Sequence, residues 1–75
     1  MMDDVKRRKA AFRTAFDYME RQLQKMPAFA SSEKYWTQAW AEVLQLSDGA
    51  DELTMELLAT AYWELERIWK ARDIA

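Results

Sequence analysis

The sequence contains no cysteine and no histidine, and it has only one glycine and one proline among its 75 residues. Without cysteine, the chain can form neither disulfides nor thiolate metal sites. Without histidine, it lacks the commonest general base and metal ligand. Because it also shows no nucleophile paired with a base and no glycine loop that cradles phosphate, we expect no catalytic residues, no cofactor, no metal and no enzymatic activity.

Long hydrophobic runs are missing too. No stretch approaches the roughly 18 consecutive apolar residues of a membrane span, and the first residues lack the apolar segment of a signal peptide. Apolar residues make up 51% of the chain and charged residues 32%, which is typical of a globular domain. We therefore expect a single domain over residues 1–75, located in the cytoplasm and not at a membrane.

The scarcity of turn-forming residues favours helix. Three helices are predicted, over about residues 3–26, 33–46 and 51–73. Pro27 is expected to end the first, and Gly49 to adopt the left-handed conformation that closes the second. Asp48 or Asp51 can cap the third. Amphipathic helices with short connections predict an all-α fold, a small three-helix up-down-up bundle.

The expected core follows from apolar residues that recur at spacings of three and four. In the first helix this seam comprises Val5, Phe12, Phe16, Met19, Leu23 and Met26. The third helix has the widest apolar arc, about 200°, and should be the centre of the packing. The residues predicted to form the core are Phe12, Phe16, Trp40, Leu58, Leu65 and Trp69. The second helix, about 20 Å long against about 35 Å for the others, should leave part of their groove open.

Trp63 stands apart from these seams. Wheel geometry places it about 80° beyond the edge of the apolar arc of its helix, among Glu52, Glu56, Arg67 and Lys70. A tryptophan in such a place can lie under a long side chain, stack on a cation, be buried by the connector, or anchor an interface. The candidate partner-binding site is therefore Trp63, with the four charged residues as its rim.

The basic run "KRRK", Lys6 to Lys9, with Arg13, raises the alternative of nucleic-acid binding. In an up-down-up bundle, however, the first and third helices start at the same end. The third helix starts among acidic residues, including Asp51 and Glu52. Charge complementarity between the two helix starts is therefore favoured over contact with phosphates.

The stretches "KYWTQAWAEVLQL" and "ELLATAYWELER" resemble small helical proteins encoded by prophages and other mobile elements, most of them of unknown function. The resemblance covers about residues 34–67 and assigns no role to any residue. It implies a protein that acts by binding a host protein, including components of anti-phage defence, as anti-CRISPR proteins do.

Taken together, these features favour a non-enzymatic protein–protein interaction module, an inhibitor from a mobile element that sterically blocks a bacterial protein. Two alternatives stay open. One is a homo-oligomeric helical bundle in which a second copy closes the open groove. The other is a nucleic-acid binder that uses the basic start of the first helix, residues 6–13.

Overall fold

A computed structural model of the chain describes residues 2–29 and 32–74, with side chains for 3–26 and 32–72. The described residues form three helices: α1 (Met2–Phe29), α2 (Glu33–Ser47) and α3 (Glu52–Ile74). The predicted all-α bundle is confirmed. Among the described residues, no helix has the length and apolar character to cross a membrane.

The predicted end of the first helix is wrong, because α1 continues past Pro27 to Phe29. A proline has φ fixed near −65°, which matches helical backbone. The last turn therefore contains one residue without a backbone hydrogen-bond donor and remains helical.

The turn between α2 and α3 is formed as its residues predict. Gly49 has a φ of +74°, in the left-handed region that glycine adopts without strain. Asp51 caps α3: its Oδ1 accepts hydrogen bonds from the Thr54 amide at 2.9 Å and from the Thr54 hydroxyl at 2.6 Å. These bonds hold the pKa of the Asp51 carboxyl below its usual value. Asp48 instead lies at the end of α2.

The buried face of α1 differs from the predicted one. It consists of Ala11, Ala15, Tyr18, Gln22 and Met26. Phe12 and Phe16, predicted to lie in the core, are 58% and 67% exposed. The physical reason is the small size of the alanines. Ala11 and Ala15 on α1 and Ala61 on α3 are buried, and small side chains at a helix contact allow the backbones to approach closely.

The core on α3 agrees with prediction more closely. Leu58 and Leu65 are fully buried, and Trp69 is half-buried against the core. Trp40, the remaining predicted core residue, is 37% exposed at the edge of the α2–α3 contact. The third helix thus supplies the centre of the packing, and the error concerns which residues of the other two helices face it.

Polar side chains join α1 to α2. The buried Tyr18 hydroxyl donates a hydrogen bond to the Ala39 carbonyl at 2.9 Å. Gln22, also buried, donates from its amide to Glu42, and Arg21 forms an ion pair with the same carboxylate at 2.9 Å. Since a buried polar group is costly unless it is hydrogen-bonded, these contacts define how α2 lies against α1.

Candidate functional site

Trp63 lies on the outer face of α3, away from the core, and is 54% exposed. The predicted position outside the apolar arc is therefore confirmed. Its ring contacts Tyr62 edge-on, with centroids 5.4 Å apart. A shallow hollow beside the indole is lined by Glu66, Arg67 and Lys70.

Two ion pairs border the indole. Arg67 contacts Glu64 at 3.3 Å on one side, and Lys70 contacts Glu66 at 3.2 Å on the other. Exposed pairs of this kind add little to stability, but they place one charge of each sign on both sides of Trp63. The rim is thus locally neutral.

The structure places only some of the predicted rim residues beside the indole. Arg67 and Lys70 line the hollow beside Trp63, and Glu66, which was not predicted, joins them. Glu52 and Glu56 are exposed on α3 but lie three and two turns before the indole, outside the hollow. The spacing of Glu66 to Lys70, one turn apart on α3, is the signal that would have placed Glu66 in the rim.

The contact between α2 and α3 is largely aromatic. The ring pairs that join the two helices are Trp36–Tyr62, Trp36–Trp69 and Trp40–Tyr62. Neighbouring rings within one helix extend this cluster, Tyr35–Trp36 on α2 and Tyr62–Trp63 on α3, and the centroids of all these pairs are 4.9 to 5.8 Å apart. Most meet edge to face, a favourable geometry worth about 0.5–1.5 kcal/mol per pair beyond burial. Tyr62 contacts both Trp40 and Trp63, so these two exposed indoles belong to one connected surface.

That surface extends further along both helices. Leu44 lies one turn beyond Trp40 on α2, and Met55 lies two turns before Tyr62 on α3. The antiparallel register set by the Trp40–Tyr62 contact brings both to the same edge of the α2–α3 pair. Leu44 and Met55 are 57% and 42% exposed. We refer to this surface as the aromatic patch, comprising Trp40, Leu44, Met55, Tyr62 and Trp63.

The basic start of α1 lies beside the turn between α2 and α3, as the shared-end prediction requires. Arg7 and Thr14 line a hollow together with Asp48 and Asp51. Arg7 is close enough to Asp51 to contribute to its lowered pKa. At least one cation of the cluster therefore faces carboxylates of its own chain.

The patch offers apolar contact and one uncharged hydroxyl group, that of Tyr62. Burial, together with the charge of Glu66, raises the pKa of Tyr62, so this phenol is neutral at physiological pH. Within the described residues, no group of three or more acidic side chains is placed to hold a metal ion. Comparison with models of known protein families, with curated proteins and with solved structures finds no match for this chain.

Proposed function

We propose that this protein is a non-enzymatic interaction module that binds another protein through the aromatic patch. The observation that carries the proposal is Trp63, an indole 54% exposed within a connected apolar surface. Grouped, exposed apolar residues bordered by polar ones are typical of binding sites. Tryptophan is also the residue most enriched among interface hot spots.

The mode of action we propose is steric. Trp63 enters an apolar pocket of the partner, and the ion-paired rim of Arg67 and Lys70 contacts the polar surface around it. The two helices that carry the patch are held together by the ring contact between Trp36 and Tyr62. The patch is therefore already ordered before the partner binds, and binding carries little entropic cost for ordering it. A rigid helix pair bound in this way covers the functional surface of the partner around that pocket.

The resemblance of residues 34–67 to mobile-element proteins supports the class of partner. Under this proposal the partner is a bacterial host protein, in particular a component of a defence system, and binding inhibits it.

The experiment compares two single variants of exposed residues on different sides of the molecule. Trp63→Ala removes the proposed anchor, and Gln38→Ala, at an exposed residue of α2 outside the aromatic patch, is the control. We expect Trp63→Ala to change the free energy of unfolding by less than about 0.5 kcal/mol. We also expect it to weaken binding by about 30-fold, as for a hot spot worth about 2 kcal/mol.

The partner for this titration is a protein that wild type and Gln38→Ala capture from bacterial lysate and Trp63→Ala does not. Affinity is then measured by calorimetry with the purified pair. A destabilised Trp63→Ala protein that still captures the same partner with unchanged affinity would overturn the proposal.

A further inference from the structure

A second apolar surface lies on the side of the molecule that α2 does not cover. It is formed by exposed and half-buried residues of α1 and half-buried residues of α3. Its members are Val5, Phe12, Phe16, Met19, Leu23, Leu53, Leu57 and Ile68. We call this surface the α1–α3 face.

The contacts of α2 show that these residues share one face. On α3, the ring contacts of Trp36 with Tyr62 and Trp69 mark the side that meets α2. Leu57 and Ile68 lie about 100° or more around the helix from that side. On α1, Tyr18 hydrogen-bonds to α2, and the stripe that includes Phe16 lies on the opposite side of the buried face.

The exposed surface is larger than that of a compact monomer. The chain exposes 5781 Å², whereas a compact monomer of this size exposes about 4,800 Å². The elongated shape, 45 × 23 × 16 Å, contributes to this excess, and so do the exposed apolar residues of the α1–α3 face.

Charges along the border of the face are self-complementary. On α1, exposed Arg13 and Glu20 are two turns apart on the side of the stripe that points away from α3. On α3, exposed Glu56 and Arg67 are three turns apart at the opposite border. Each border thus carries charges of both signs. Exposed Lys9 adds a second cation to the border on α1, and Arg67 on α3 also pairs with Glu64 of its own chain.

The two pairs are centred at the same height in the bundle. The first is centred near Phe16 and the second near Ala61. Residues 7–14 of α1 line one hollow with Asp51 and Thr54 at the start of α3, which places Phe16 within about one turn of the height of Ala61. Consider a two-fold axis that lies in the plane of the α1–α3 face at this height and runs perpendicular to both helices. A 180° rotation about this axis stacks the faces of two copies and brings Arg13 opposite Glu20 of the second copy.

We propose that the α1–α3 face binds a second copy of this chain in an antiparallel two-fold dimer, with Phe16 at the axis. The same rotation places Glu56 opposite Arg67 of the second copy, and Phe12 opposite its Met19 and Leu23. Helix dipoles of the facing helices then oppose each other, which is the favourable arrangement.

The interface is of modest size. The stripe from Val5 to Leu23 is about 27 Å long, and two packed helices present a face about 20 Å wide. The dimer therefore buries roughly 1,100 Å² in total, at the low end of specific interfaces, and we expect weak association with a Kd of micromolar order. The residues of the aromatic patch lie outside this interface, and Arg67 belongs both to the border of the α1–α3 face and to the rim of Trp63.

Sedimentation equilibrium at protein concentrations from about 1 µM to 1 mM tests whether the α1–α3 face forms a dimer, because this range brackets a micromolar Kd. Phe16→Glu places like charges together at the axis and should raise the Kd at least about 30-fold. Leu44→Glu, a matched change at an equally exposed apolar residue of the aromatic patch, should leave the Kd within about two-fold. A wild-type protein that is monomeric at 1 mM, or a dimer broken by Leu44→Glu and not by Phe16→Glu, would overturn the proposal.

Charge reversal tests the antiparallel register with surface variants that leave the core intact. Arg13→Glu alone should weaken the dimer several-fold, because it faces Glu20 of the second copy. Adding Glu20→Arg in the same chain should restore the Kd, since each reversed residue again meets an opposite charge. Restoration by Glu56→Arg instead of Glu20→Arg would show α1 packed on α3 of the second copy, and the antiparallel register would be wrong.

Discussion

At the scale of the residue, Tyr18 combines complete burial with a polar group that has one specific partner, the Ala39 carbonyl at 2.9 Å. Burial raises the pKa of the Tyr18 phenol well above its ordinary value of 10.0, and it raises those of Tyr35 and Tyr62 in the same direction. Below pH 10 the tyrosines are protonated in both the folded and the unfolded chain, so the raised pKa values have no effect on the free energy of unfolding in that range. Above pH 10 only the unfolded chain releases these protons readily, and stability falls as the pH rises.

We therefore predict that the free energy of unfolding is level up to about pH 9 and declines above pH 10, with Tyr18 contributing up to about 1.4 kcal/mol per pH unit. Urea titrations between pH 8 and pH 11 measure this decline. Tyr18→Phe keeps the ring and should cost about 1 kcal/mol at neutral pH through the lost hydrogen bond. It should also make the decline shallower. An equally steep decline in the variant would show that Tyr18 ionises freely in the folded protein.

At the scale of the element, α1 shows why a hydrophobic pattern can select the wrong face. The stripe with Phe12 and Phe16 is more hydrophobic than the face with Ala15 and Gln22, yet the second one is buried. Alanine allows α3 to approach closely, and the Gln22 amide is compensated by Glu42 of α2. Neither the close approach nor the distant carboxylate is visible in the periodicity of α1 itself.

Other features depend only on their own segment, and those were predictable. The position of Trp63 follows from the angle between it and the apolar arc of the same helix. Gly49 and Asp51 act through their own backbone geometry and a partner three residues away. By contrast, the aromatic patch requires the register of α2 against α3. The sequence therefore pointed to Trp63 but assigned Trp40 to the core.

The buried face of α3 and the exposed stripe of α1 lead to opposite expectations for truncation. Leu58→Ala or Leu65→Ala should lower the free energy of unfolding by about 2–5 kcal/mol, because both side chains are fully buried. Phe12→Ala, which removes a larger side chain from an exposed site, should lower it by less than about 0.5 kcal/mol. Denaturant titrations at protein concentrations below the dimer Kd make the comparison. A cost above about 2 kcal/mol for Phe12→Ala would mean that Phe12 is buried within the monomer.

At the scale of the whole molecule, the three helices carry two apolar surfaces on different sides. The aromatic patch lies along α2 and α3, and the α1–α3 face lies where α2 is absent. If one binds a partner and the other a second copy, each dimer presents two Trp63 anchors. A partner with two sites would then be held with an avidity greater than that of either site alone.

Charge is also organised at this scale, and it bears on the nucleic-acid alternative. The chain has a net charge of −2, and its one basic cluster lies at the end of the bundle that also carries the acidic turn. Arg7 shares a hollow with Asp48 and Asp51, so phosphates approaching Arg7 also meet these carboxylates. Repulsion by the acidic groups offsets much of the attraction on which nonspecific binding depends.

We therefore predict that this protein binds duplex DNA more weakly than about 1 µM at about 0.15 M salt. Fluorescence anisotropy with a labelled duplex measures the affinity at two salt concentrations. Replacing Lys6, Arg7 and Arg8 by alanine should change the weak binding little. Asp48→Asn combined with Asp51→Asn removes the nearby carboxylates while keeping a residue suited to the cap of α3, and it should strengthen binding. Sub-micromolar binding by wild type that the triple variant abolishes would mean that the acidic turn does not shield the cluster, and that its cations are free to contact phosphates.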